Sequence, residues 1–264
     1  MRWVGGSSRG ISSAMLSAPD EDARVLPLSS VLRRRRRRAR WAHLNASRRA
    51  GCVAVFPTAG RPPTGWQAGY SGKATPDTIF LTQLIDEVVA ELQLDKDRVF
   101  MTGHSSGGFM SYSFAAMHPD KVAAIGPVAG LNISRSTPKL PVSVIAFHGI
   151  ADDVVAYDKT HGKNAKYGGM PSAVASAAAF AKHNHCTSKP VRSELHGGKV
   201  LLDTWEDGDA GTSVQLYSIK EWKHSWPNRR SKVAATQLIW EFFQANARQP
   251  KGKQSKNKKR RKSP

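Results

Sequence analysis

The stretch RVFMTGHSSGGFMSYSFAAMHP, from Arg98 to Pro119, decides how the rest of the chain is read. An apolar run (Val99, Phe100, Met101) meets glycines and two adjacent serines, and an alanine-rich segment follows. That order is expected of a buried strand turning sharply into a helix, here Gly107 to His118. Gly103-His104-Ser105-Ser106-Gly107 matches G-x-S-x-G with Ser105 at its centre. A nucleophile on such a turn has a strained backbone, so the residues two before and two after it must lack bulk. Centring the motif on Ser106 would place His104 at one of those positions, where its side chain would clash. Ser106 fits a second role, because its backbone N–H at the helix start can point at a developing oxyanion. Taken alone, the five residues are equally a Gly/Ser connection or a phosphate-cradling turn.

Working outward, GCVAVFP reads as a short buried strand, followed by a long Gly/Pro loop. TPDTIFLTQLIDEVVAELQL carries apolar residues at helical spacing, with Thr75 or Asp77 placed to cap its start. VAAIGPVAG, PVSVIAFHG (Pro141 to Gly149) and SVQLYSIK read as strands. SAVASAAAFAKHN (Ser172 to Asn184) and KVAATQLIWEFFQAN (Lys232 to Asn246) read as helices. Strands separated by helices imply an α/β protein, with parallel pairing and helices on both faces of the sheet.

In such sheets, chemistry sits at the carboxyl ends of the strands. A serine needs a base, and the base an orienting carboxylate, here in the chain order Ser, acid, His. The strand VSVIAF runs into HGIADDVVAYD, where Asp152 and Asp153 are candidates, and VQLYSI runs into KEWKHSWP, where His224 is the candidate. Adjacent acids in a loop more often cap a turn, and His148 is as well explained by packing under it. His104 and His118 flank the elbow on the wrong faces for a base, and His196 stands in a Gly-rich turn. No metal-ligand spacing and no Gly-x-Gly-x-x-Gly after a strand is present, so no cofactor is expected.

The net charge of +20 is local. Arg33–Arg40 holds seven basic residues and the tail Lys251–Pro264 eight, with no acid in either. Without those 15, 25 basic residues face 20 acids, a balance of +5. Such runs are normally solvated and disordered, and Arg33–Arg40 and Lys251–Lys262 offer non-specific contact to a polyanion. Two cysteines, Cys52 and Cys186, make no disulfide framework, and no apolar run is long enough to span a membrane. The N-terminus does not read as a signal peptide.

At these residues the chain resembles the polyhydroxybutyrate depolymerase and feruloyl esterase group of α/β-hydrolases. The elbow region DKDRVFMTGHSSGGFMSYSFAAMHPDKVAAIGPVAG carries the likeness, with HGIADDVVAYD and KEWKHSWP. Shorter matches are TGWQAG, PDTIFLTQLID, FAKHNHC and LIWEFF. The likeness runs from about Leu44 to Arg248. It implies an α/β-hydrolase fold and a secreted enzyme cleaving carboxylic esters, often on polymeric substrates. By resemblance Ser105 is the nucleophile, Asp152 rather than Asp153 the acid, His224 the base, and the Ser106 N–H an oxyanion donor. Trp66 and Trp226, with His104, would line the substrate site.

The chain departs from that family in two places. A strand leading into a His-Gly loop, the source of a second oxyanion donor, should precede LNASRRAGCVAVFP; VLRRRRRRARWAH stands there instead. Residues 1–43 are therefore expected to be disordered or foreign to the fold, with N-terminal strands missing or replaced. The abrupt change in composition suggests a mis-assembled N-terminus of a longer reading frame. The family also pairs the cysteine matching Cys186 with one after the next strand, where DTWEDGDAG has none, so no disulfide is expected. The resulting division is 1–43, a catalytic domain over 44–248, and a basic tail over 249–264. Two other readings are an impaired hydrolase-like scaffold that binds polyanions through its basic ends, and a serine peptidase on the same fold.

Overall fold

The computed structural model describes residues 12–17, 42–47, 52–57, 59, 65–69, 72–134, 136–158 and 170–248. The basic runs at 33–40 and 251–262 lie outside the described residues.

Nine strands form one sheet in the order β2-β3-β1-β4-β5-β6-β9-β8-β7. They are β1 Ser12–Ser17, β2 Ala42–Ser47, β3 Cys52–Pro57, β4 Val99–His104, β5 Ala124–Val128, β6 Ser143–Gly149, β7 Val191–Leu195, β8 Val200–Trp205 and β9 Val214–Ile219. The helices are α1 Pro76–Glu91, α2 Ser106–Met117, α3 Ala173–His183 and α4 Ala235–Ala245. The centre of the sheet, β4-β5-β6-β9, is parallel, and both flanks are antiparallel.

Alternation along the central strands sends neighbouring side chains to opposite faces. Val99 and Met101 of β4, with Val144 and Ala146 of β6, join a core under α1, α2 and α3. Phe100, Ile145 and Phe147 join a second core under α4, where Phe100 stacks on Phe243 with ring centroids 4.8 Å apart. A strand buried on both faces reads as an unbroken apolar run, which is why VSVIAF looked like one. Of the two proposed caps for α1, Thr75 closes a capping box with Thr78. Asp77 is buried and accepts from the Gln67 amide. Ser172 caps α3 through the Ala175 amide.

The sequence expectation for the N-terminus is corrected. Residues 1–43 do contribute strands: β1 fills the place between β3 and β4, running against both, and β2 begins at Ala42. A strand in mid-sheet is held by two hydrogen-bonded ladders, so six residues suffice without any visible periodicity. The mostly parallel sheet expected of this fold is parallel through its centre and antiparallel at its flanks. β7 and β8 are joined by a turn of four residues, 196–199, too short for a crossover, so they must form a hairpin. His196 (φ 53°) belongs to that turn.

Candidate active site

Ser105 stands between β4 and α2 with φ 56° and ψ −117°, a backbone that L-residues rarely adopt. Such conformations cost on the order of 1–3 kcal/mol and persist only where their surroundings impose them. Here the Ser105 amide donates to the Val128 carbonyl at the end of β5 (2.9 Å), and its carbonyl accepts from Phe109 in the first turn of α2 (3.0 Å). The glycines act as the motif requires. A Cβ on Gly103 would come within 2.6 Å of the Gly107 backbone.

His224 bridges the other two groups. Its Nε2 is 2.8 Å from Ser105 Oγ, and its Nδ1 is 2.8 Å from Asp152 Oδ2. Because the carboxylate can only accept, Nδ1 carries the proton and Nε2 faces the serine as acceptor. Asp152 is fully buried, and its second oxygen accepts from the amides of Val154 (2.9 Å) and Val155 (2.8 Å). Burial alone would raise its pKa, but hydrogen bonds from His224, Val155 and Val154 outweigh it. The carboxyl is held below its ordinary range. Asp153 points away, exposed and 3.8 Å from Lys223. Among the described residues, the two adjacent acids are thus separated by geometry.

Two further histidines surround this pair. His148 is buried, donates from Nε2 to the Val155 carbonyl (2.9 Å), and stands 3.6 Å from Asp152 Oδ2. That bond closes the loop whose amides hold Asp152. The packing role considered from sequence fits His148, but its link to the acid was missed. His104 lays its ring against that of His224, with centroids 4.7 Å apart and planes at 45°. Burial, then the neighbouring His224, lowers its pKa to about 4, so it is neutral at working pH.

The histidine loop is clamped from below. A Cβ on Gly149, the last residue of β6, would collide with the Trp222 carbonyl. Glycine is needed there so that the acid loop and the histidine loop can approach. Trp222 in turn donates to the Ser225 carbonyl (3.0 Å). This contact explains the glycine of the HGIADD segment, and only the fold reveals it.

Ser106 opens α2, and Gly65 lies close enough that a Cβ there would be 2.8 Å from Ser106 Oγ. The Ser106 amide belongs to the first turn, whose N–H groups lack helical partners. Trp66 is buried in the core under α1 and α3, with 6% of its surface exposed. Trp226 is half-buried against the α4 core and donates to Thr236 Oγ1 (3.0 Å). Both tryptophans are packed, and Trp66 Nε1 is buried without a hydrogen-bond partner among the described residues. β1 pairs Ser12 with Gly103, so its first residue, not its last, lies nearest the elbow. The residues before Ser12 lie outside the described set, as does any oxyanion donor they would carry.

Cys52 is buried and Cys186 half-buried, and both are free. Among the described residues, no group of His, Cys, Asp and Glu is arranged to hold a metal, and no helix is long and apolar enough to cross a membrane.

A serine on a strand–helix elbow, with an acid after β6 and a histidine after β9 within hydrogen-bond reach, is the arrangement of the α/β-hydrolase fold. A family model described as "Esterase PHB depolymerase" matches residues 65–199, and the chain belongs to that family. A probable feruloyl esterase C of Aspergillus terreus is 32% identical over 244 residues, covering 92% of this chain and 75% of that protein. A bifunctional acetylxylan esterase/xylanase of Neocallimastix patriciarum is 28% identical over 199 residues. That match spans 73% of this chain but only 26% of the larger protein. Among solved structures, an acetyl xylan esterase from Aspergillus awamori superposes with a TM-score of 0.55 at 15% identity, over 75% of this chain and 80% of that one. That likeness speaks for the fold.

Proposed function

We propose that the chain hydrolyses carboxylic esters through an acyl-enzyme, with Ser105 as nucleophile, His224 as general base and acid, and Asp152 as the orienting acid. The observation that supports this most is the position of His224, 2.8 Å from both Ser105 Oγ and Asp152 Oδ2. Ser105 Oγ attacks the ester carbonyl as His224 Nε2 takes its proton, and Asp152 stabilises the imidazolium that forms. The negative oxygen of the tetrahedral intermediate is met by the Ser106 N–H. Collapse returns the proton from His224 to the departing alkoxide. A water then repeats the sequence and frees the acid.

The family and its relatives favour polymeric or plant-wall esters, hydroxyalkanoate polyesters or acylated sugar chains, and an extracellular site of action. The unit that acts is residues 44–248 with β1 added to its sheet. The basic segments, Arg33–Arg40 and Lys251–Lys262, serve as non-specific polyanion contacts.

The test is labelling by a fluorophosphonate probe together with turnover of p-nitrophenyl acetate. Both are expected in the wild type and lost in Ser105→Ala. Labelling that survives the substitution would sink the assignment. A matched anilide run beside the ester separates this reading from a peptidase, and the ester is expected to be the substrate turned over.

A further inference from the structure

We infer that the segment carrying the catalytic histidine is a cationic platform, and that the ester cleaved here is borne on a carboxylate-bearing sugar chain. The inference rests on the esterase reading above and adds the chemistry of the substrate. Residues 220–232 read KEWKHSWPNRRSK, five cations against one acid. Lys220, Lys223, Arg229, Arg230 and Lys232 are all exposed. Lys223 has Asp153 at 3.8 Å, and Lys220 stands near Glu194 beside Gly198. Arg229, Arg230 and Lys232 have no acidic partner among the described residues.

The three are held in place from beneath. Asn228 and Ser231 close a capping box around the turn Arg229–Ser231, with Arg230 N donating to Asn228 Oδ1 (2.9 Å). Ser231 is buried, and Trp226 ties the segment to α4 through Thr236. A disordered tail would offer its charge anywhere; this turn offers it at one place. Arg229 follows His224 by five residues, so their Cα atoms stand at most about 18 Å apart even along a fully extended chain. Fixed, uncompensated charge beside a reacting centre concentrates ligands of opposite sign, and the effect reaches about 10 Å at 0.1 M salt.

What the platform holds must share a molecule with the bond that His224 helps to break. A nucleic acid carries phosphodiesters and no carboxylic ester. An acylated sugar chain with uronic acids carries both the ester and the anion.

The experiment compares kcat/KM for an acetylated methyl glucuronide and the corresponding neutral acetylated methyl glucoside, with the full chain, at 20 and 300 mM NaCl. The expected preference for the uronide is about tenfold at low salt and close to one at high salt. In Arg229→Gln/Arg230→Gln it is expected to fall close to one at both. The basic runs at 33–40 and 251–262 are present in both proteins, so the change in the ratio belongs to the two arginines. Equal rates on the two sugars, or a preference that the double variant keeps, overturns the inference. So does loss of duplex DNA binding in the double variant without a change in the ratio. Uncharged p-nitrophenyl acetate separates the two levels of failure: turned over with no preference, only the platform falls; not turned over at all, the esterase reading falls with it.

Discussion

The parallel centre of the sheet and its antiparallel flanks hold their residues in different ways. In the centre, each group of the proposed triad is fixed by short-range contacts at a strand end: Ser105 by Val128 and Phe109, Asp152 by Val154 and Val155, His224 by the approach of Gly149 to Trp222. On the β2-β3-β1 side, position comes from ladders between stretches distant in the chain, such as Ser12 with Gly103 and Met15 with Ala54. Changes in the centre should therefore cost rate while sparing the fold, and changes at the flanks should cost stability.

The largest effect is expected at Asp152. Asp152→Asn keeps the shape but can donate to Nδ1, which favours the wrong tautomer of His224, and kcat should drop on the order of 10⁴-fold. KM and the far-ultraviolet circular dichroism should hardly move. A drop below tenfold would mean that His224 takes its orientation from a group other than Asp152.

Met15→Pro tests the other side. Met15 faces Ala54 on one neighbour and Phe100 on the other, so a proline there removes a ladder donor in mid-sheet. The expected loss is about 1–3 kcal/mol, the cost of leaving the ladder carbonyl unpaired, read as a fall in the urea midpoint. Wild-type stability in this variant would mean that β1 does not hold the central place in solution.

The difference between centre and flank also marks what was legible in the sequence. The elbow, the acid loop and the histidine loop were legible because each follows an apolar run and each residue type is demanded by its chemistry. β1 was not, because SSAMLS carries no pattern and its partners lie some 40 and 85 residues away. β7 was missed for another reason. VRSEL is an edge strand exposed along nearly its whole length, with Val191 at 64%, so it shows no buried alternation. Its turn, His-Gly-Gly-Lys between two short runs, was the available signal. The sequence singled out His224 among the histidines around Asp152, but not the contacts that His148 and His104 make there. His224 and His148 meet one carboxylate, and His104 stacks on His224, because β4, β6 and β9 end at the same edge of the sheet, with β5 between the first two.

His104 gives a smaller effect, seen in stability against pH. Its pKa is about 4 in the folded protein, lowered by burial and His224, against about 6.5 in an unfolded chain. Between those values the unfolded state binds the proton that the native state refuses. Stability owed to this group is therefore full above pH 6.5 and declines as pH falls toward 4. His118 and His148 are shifted the same way by burial, so the wild-type curve sums several groups. The difference between wild type and His104→Phe isolates one. The variant's melting temperature should decline less over that interval. Parallel curves would mean that His104 is already charged beside His224 and Asp152.

The smallest net change is expected on the far flank, past the end of β8. A Cβ on Gly208 would lie 2.8 Å from Cys186 Sγ, near the roughly 3 Å that a disulfide sets between one sulfur and the opposite Cβ. Gly208 has φ −67° and ψ 162°, which any residue adopts, so backbone strain does not oppose a side chain there. Space does, because the same Cβ would meet the Thr212 carbonyl at 2.6 Å. Gly208→Cys should thus form a bond to Cys186 under oxidation, seen as the loss of two mass units and of both free thiols at these positions. Closing the intervening loop of 21 residues is worth about 3 kcal/mol in the chain-entropy view. Displacing Thr212 offsets part of that by about 1–3 kcal/mol. The oxidised variant should melt well above its own reduced form, yet close to the wild type. Oxidised and reduced forms that melt together would show that strain in the bond itself cancels the crosslink, and that the loop after β8 does not fit a disulfide.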